Sequence, residues 1–288
     1  MDLLQFSPAL QTFYTIVRNS DDVANVKILI QAHPGILEES RSKLRSVLHS
    51  AAVYGRLEII RYLLPLASDE LLMEKSKEPC DTRGATCLRW AAYWDNHEIV
   101  RLILTTLIAR GLEVDTWDGD QRGLLSESPS MEMLQLFQEL HPTSLTFPDF
   151  DGAMAIHHVL ESDSNVDSVA YLISLNPSLL DVITVNGWTL LHYAAFYSSE
   201  SDNPYELCRL LLQTGRLNVD AVTSDQRTPF QLARHGQSPS TVAKLLAACS
   251  SSVADKVEMG LSEDEIGVIR HEVYFNSTLA DGLSAIVN

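Results

Sequence analysis

Basic residues are scarce in this chain. Its 288 residues include 21 Lys and Arg against 38 Asp and Glu, a formal net charge of −17. That deficit argues against nucleic acid or an anionic membrane as the main partner. A basic partner segment is compatible with it, and acidity also keeps a protein soluble. Cysteine is nearly as rare, with Cys80, Cys87, Cys208 and Cys249 as the complete set. No two of them form a close metal-type pair, and Cys208 and Cys249 fall on apolar helical stripes. Scattered thiols suit a reducing compartment better than a disulfide framework, so an intracellular site, cytoplasmic or nuclear, is expected. The opening Met1-Asp2-Leu3-Leu4 lacks the cationic region of a signal peptide. No apolar run approaches the roughly 20 residues that span a bilayer, so no membrane span is expected. Also missing are a Gly-rich phosphate loop, a Gly-x-Ser-x-Gly elbow and a Cys-x-x-Cys pair. The expectation is a protein that is not an enzyme, with no catalytic residue, no cofactor and no metal site.

Apolar residues are plentiful, at 45% of the chain, ample for a core. They recur with a period. A short signature with two or three large aliphatics appears at Val26–Ile30, Ile60–Leu64, Val100–Leu104, Leu134–Phe137, Val169–Ile173, Cys208–Leu212 and Val242–Leu246. The steps between leading positions are 34, 40, 34, 35, 39 and 34 residues. A period this regular means stacked repeats rather than one closed globule. One helix pair cannot bury its apolar face alone, so stability must come from stacking.

A second element precedes each signature. Its best copies are Ser46-Val47-Leu48-His49-Ser50-Ala51-Ala52, Thr86-Cys87-Leu88-Arg89-Trp90-Ala91-Ala92 and Thr189-Leu190-Leu191-His192-Tyr193-Ala194-Ala195. Weaker copies are Met154-Ala155-Ile156-His157-His158-Val159-Leu160 and Thr228-Pro229-Phe230-Gln231-Leu232-Ala233. The physics of each position is clear. Thr caps free amides at a helix start, and Pro suits the first turn. Paired alanines let helices approach closely, and Gly before the Thr suits a turn with positive φ. These copies resemble the Thr-Pro-Leu-His-x-Ala-Ala motif of the ankyrin repeat family, over roughly residues 8–250. The resemblance implies an all-α, ankyrin-type helix-pair solenoid of about seven repeats, some degenerate, with short β-turn fingers. It divides the chain into a degenerate N-terminal capping repeat (1–36), ankyrin repeats (37–250) and a C-terminal helical cap or tail (251–288). It also implies that His49, His157 and His192 are structural, bonding backbone between neighbouring turns. His157-His158 with Asp163 and Asp167 can be written as a metal site, but His157 belongs to the motif and adjacent helical residues point apart.

Departures from the motif locate what is particular to this chain. Arg89 stands where the motif has His, so that inter-repeat bond must be remade or lost. The step of 40 places extra residues in Leu66–Asp81, and the step of 39 places an insertion at Ser198–Pro204, expected to be a mobile loop. Pro129 breaks the stretch Gly123–Ser130 that should be a first helix, so this middle repeat is expected to be degenerate. Past Cys249, Ser262 and Glu265 form a capping-box pair, and Ile266, Ile269 and Val273 share a face that should pack over the last repeat. A partner-binding tail is the competing reading.

The resemblance also implies a binding surface. The family exposes the residues flanking the turn glycine and the pair after Ala-Ala, and these line the groove where its members bind partners. Here those positions supply Tyr54, Arg83, Tyr93, Trp94, Phe150, Trp188, Phe196 and Tyr197, with Trp117 just before the Asp118 turn. Tyr, Trp and Arg are the residues enriched at binding hot spots. The competing reading folds Trp94 or Phe196 inward. Trp90, just before Ala-Ala, reads as core. The function expected is a protein–protein interaction module or adaptor, acting as a monomer, whose partner is another protein with a basic segment in view. The alternatives are a substrate-targeting subunit of a ligase or phosphatase complex and, behind it, an enzyme that binds a small molecule or metal.

Overall fold

A computed structural model describes residues 7–41, 44–77, 84–118, 120–127, 129–162, 165–197, 203–235 and 238–275. These residues are helical with no strand among them, and they divide into two compact units at the Asp149/Phe150 boundary.

The first unit holds α1 (Pro8–Asn19), α2 (Val23–Ala32), the short α3 (Ile36–Arg41), α4 (Val47–Val53), α5 (Leu57–Leu63), the short α6 (Asp69–Leu72), α7 (Cys87–Tyr93), α8 (His97–Arg110) and α9 (Met131–Leu140). The second holds α10 (Ala155–Ser162), α11 (Val166–Leu175), α12 (Leu190–Phe196), α13 (Pro204–Gln213), α14 (Pro229–His235), α15 (Ser240–Cys249), α16 (Val253–Glu258) and α17 (Glu263–Tyr274). The seven aliphatic signatures are α2, α5, α8, α9, α11, α13 and α15. The motif copies are the helices that precede them.

Burial follows the repeat. Ile60, Leu63, Val100, Ile103, Leu104, Phe137, Val169, Ile173, Leu211, Val242 and Leu246 are fully buried. Each such side chain contributes about 1.5–3 kcal/mol of transfer free energy. In the first signature Val26 is buried, but Ile28 is exposed. Pro8 opens α1 behind the N-cap Ser7, and Pro229 opens α14. At the other end, Ser262 and Glu265 form the capping box of α17. Ile266 and Val273 are buried, and α17 packs against α13 and α15. Arg270 donates from Nε to the Ala248 carbonyl at 2.6 Å, and the Tyr205 hydroxyl to Glu272 at 3.0 Å. Helix α17 thus lies against the last two helix pairs.

The two insertions differ. The first contains α6, whose Leu71 and Leu72 are buried, so part of the extra chain is core. Residues 78–83 and 198–202, the latter most of the second insertion, lie outside the described residues, as does Asp163.

Turns tie the helix pairs together. In the second unit the fingers join through backbone: Val185 donates to the Asp151 carbonyl at 2.8 Å, and Ser224 to Asn186 at 2.9 Å. Gly187 at the turn has φ 77°, and a Cβ there would lie 3.1 Å from the Ser224 nitrogen, so the position needs glycine on two counts. The motif histidines brace these turns. His192 Nδ1 accepts from the Thr189 amide at 3.1 Å, and Nε2 meets the Arg227 carbonyl at 3.2 Å. His49 repeats the pattern, with Ser46 N–H at 3.2 Å and the Ala85 carbonyl at 3.0 Å. His157 Nδ1 accepts from Met154 N–H at 3.0 Å.

Arg89 remakes the missing link by other means. It is 2% exposed, and its Nε meets Asp118 Oδ2 at 2.9 Å, a carboxylate with no exposed side-chain surface. Its Nη1 donates to the Gly123 carbonyl at 2.7 Å. Asp118 Oδ1 in turn accepts from the amides of Asp120 and Arg122, both at 2.9 Å. One buried ion pair thus holds the irregular turn of the middle repeat. Residues 112–130, as far as they are described, contain no helix, in keeping with Pro129.

Candidate functional site

The first helices of the best motif copies all have an aromatic residue as their C-cap. Each helix is short because the paired alanines are followed by a bulky residue and a turn. Gly55 supplies positive φ (66°) after α4, and Asp95 (53°) does so after α7. Tyr54 and Trp94 are the C-cap residues of α4 and α7, and Tyr197 that of α12. The same local geometry therefore delivers one or two aromatic residues at the same place in these three repeats.

In the first unit Trp94 is 53% exposed, Tyr54 41% and Tyr93 38%. Tyr93 and Trp94 meet edge to face at 5.5 Å, and Tyr93 leans on Trp90 at 6.0 Å. Trp90 itself is core, with the Arg45 guanidinium 4.2 Å above its ring. Trp94 does not fold inward. Trp117 is half exposed, yet it is anchored: its Nε1 donates to the Pro148 carbonyl at 2.9 Å and its ring meets Phe147 at 5.9 Å. A separate concavity beside Tyr54 is lined by Tyr14, Arg18, Arg45 and Ser50. Arg83 lies outside the described residues.

In the second unit Phe150 is 66% exposed on its finger. Trp188, Tyr193, Phe196 and Tyr197 form one half-buried cluster. Trp188 meets Tyr193 at 5.2 Å and Phe196 at 5.4 Å, and Phe196 meets Tyr197 at 5.0 Å. Phe196 thus packs sideways on Trp188 rather than into the core. Trp188, Tyr193 and Tyr197 line a concavity of about 440 Å³ with Asp151, Asn186, Asp225 and Arg227. Burial, followed by the nearby Glu161 charge, pushes the Tyr197 phenol up to about 12, and the phenol donates to Glu161 Oε1 at 3.3 Å.

Two members of this surface escaped the sequence reading. Tyr193 sits in the motif slot that Trp90 fills in another repeat, and there the side chain is core. Glu161, at the end of α10, comes under Tyr197 only through stacking. The thiols of Cys87 and Cys208 are pushed up to about 12 by burial, which keeps them protonated. Among the described residues no group of three or more His, Cys, Asp or Glu side chains is placed to hold a metal ion, and no helix is long and apolar enough to cross a membrane.

Comparison with known proteins agrees with the geometry. The family profile described as ankyrin repeats (3 copies) matches residues 13–116, and the single ankyrin repeat profile matches 186–224. A curated relative, the poly [ADP-ribose] polymerase tankyrase of Caenorhabditis elegans, is 24% identical over 85% of this chain. The chain spans only 12% of that protein's length. Among solved structures, the ankyrin repeat domain of Bcl-3, described as a unique member of the IkappaB protein family, superposes with a TM-score of 0.59 at 17% identity, covering 83% of this chain and 97% of that one. An ankyrin repeat domain from Acinetobacter baumannii AYE gives 0.52 at 22% identity, covering 69% and 95%. At these identities the structures speak for the fold alone.

Proposed function

Since this chain is an ankyrin repeat protein, and such repeats are protein-interaction modules, we propose that it is an adaptor without catalytic activity of its own. It binds another protein through the aromatic ends of its first helices and the adjoining fingers. One observation carries this reading. Tyr54, Tyr93, Trp94, Phe196 and Tyr197 sit at equivalent positions after the paired alanines and keep ring surface open to solvent. Large aromatics that recur at exposed positions call for a cause, and a partner supplies one. Tyr93 and Trp94 in one unit, and Phe196 and Tyr197 in the other, are its strongest anchors. An intracellular site of action, a basic partner segment and a monomeric adaptor belong to the same proposal.

The test replaces Tyr93, Trp94, Phe196 and Tyr197 with Ser together. The expected outcome is an unchanged circular dichroism spectrum and the loss of co-purifying proteins in a pull-down. An unchanged spectrum with an unchanged partner set contradicts the proposal.

A further inference from the structure

The concavity of the second unit combines two things the first unit's concavity does not. It has ring faces, supplied by Trp188, Tyr193 and Tyr197 within 6 Å of one another in the pairs Trp188–Tyr193 (5.2 Å) and Tyr193–Tyr197 (5.9 Å). It also has an unneutralised carboxylate. Asp151 is exposed on the same wall and makes no ion pair among the described residues. Asp225 on that wall is already held by Arg227 at 2.5 Å.

The surrounding sequence is poor in cations. From Phe150 to Cys208 there is no Lys or Arg, against 8 Asp and Glu. Over residues 150–288 the count is 7 basic against 17 acidic. The one arginine on the wall, Arg227, is spoken for twice, by Asp225 through its side chain and by His192 through its carbonyl. The first unit's concavity is the reverse case: it contains Arg18 and Arg45 and no carboxylate.

We propose that the Trp188–Tyr193–Tyr197 concavity, with Asp151, is a cradle for one arginine side chain from an extended segment of the partner. This rests on the interaction reading above and states what that surface selects. A cation over an aromatic face is attracted by the ring quadrupole. A guanidinium is flat, so it can lie on a ring while donating parallel N–H bonds to a carboxylate, which an ammonium cannot do. The tethered Arg227 keeps Asp225 occupied, leaving Asp151 as the acceptor for the incoming group.

The probe is a capped hexa-arginine peptide, with the hexa-citrulline peptide as its neutral isostere. Each is titrated onto the full chain while the indole N–H resonances are followed by NMR. The arginine peptide is expected to shift the Trp188 indole signal, and the citrulline peptide to bind at least about tenfold more weakly. Asp151→Asn should weaken the arginine peptide by about tenfold with unchanged circular dichroism, while Asp167→Asn, the same charge change on α11 outside the concavity, should leave it unchanged. Equal binding of the two peptides, an unmoved Trp188 signal, or equal losses in Asp151→Asn and Asp167→Asn would overturn the cradle. Each of those results leaves the broader interaction reading intact, since that reading stands or falls on the pull-down.

Discussion

The repeat built on His192 and the repeat built on Arg89 solve the same problem differently. Both must tie a first helix to the turn of the next repeat. His192 does so as a neutral ring, one nitrogen facing its own helix start and the other the Arg227 carbonyl. Arg89 does so as a cation reaching a carboxylate 29 residues ahead. The histidine serves a regular turn, whose carbonyl arrives at a fixed place. The middle turn is irregular, shaped by Asp118 accepting two amides and followed by a stretch that Pro129 keeps from being helical. A longer, charged link bridges what a short neutral one cannot reach. The cost is dependence, because a buried charge cannot lose its partner cheaply.

That contrast can be broken experimentally. Arg89→Ala leaves Asp118 buried without its cation and should cost about 3–5 kcal/mol in urea unfolding. Arg89→His is the sharper version. It restores the motif residue, yet it should still destabilise, since imidazole at this position leaves the Asp118 carboxylate without its guanidinium.

The next largest effect is on pH dependence. Burial depresses His49 from 6.5 to about 4. Above pH 6.5 the ring is neutral in both folded and unfolded chains, and its contribution is complete. As pH falls from 6.5 toward 4, the unfolded chain takes up a proton that the folded chain refuses, so stability declines, by about 3 kcal/mol in all. Urea midpoints from pH 7 to 4.5 should fall less steeply in His49→Gln than in the parent.

Smaller still is His192→Ala, expected to cost about 1–3 kcal/mol for the donors and acceptors left unpaired. This is less than Arg89→Ala, and equal costs would erase the distinction drawn here. The smallest effect concerns turns that lack glycine. Gln121 and Gln226 each hold φ 62° where other fingers have glycine. Gln226→Gly should raise the unfolding free energy slightly, by less than about 1 kcal/mol in urea unfolding, because relief of left-handed strain is offset by a more flexible unfolded chain.

Much of the fold was legible in the chain because it is periodic. The aliphatic signatures, the Thr/Ser caps, Pro8, Pro129 and the Ser262–Glu265 box each act within a few residues, and the structure carries them as read. The Arg89–Asp118 pair was not legible. Two charged residues 29 apart, one inside a motif and one in a turn, show no pattern until stacking brings them together. The positive φ of Gln121 and Gln226 left no trace, since nothing in a glutamine announces it. Of the candidate site, the aromatic positions after Ala-Ala were readable from the motif. Their grouping was not: Trp117 is anchored to Pro148, whereas Trp188 packs on Phe196 and lines one concavity with Tyr193 and Tyr197.

The central claim is that these partly exposed rings serve a partner rather than the fold. Its most direct test is calorimetric titration of a partner captured by the native chain against the variant with Tyr93, Trp94, Phe196 and Tyr197 changed to Ser. The account predicts affinity at least about 100-fold weaker, given losses of 2 kcal/mol or more at aromatic hot spots, with the unfolding midpoint little changed. Undiminished affinity, or a variant that no longer folds, would contradict it.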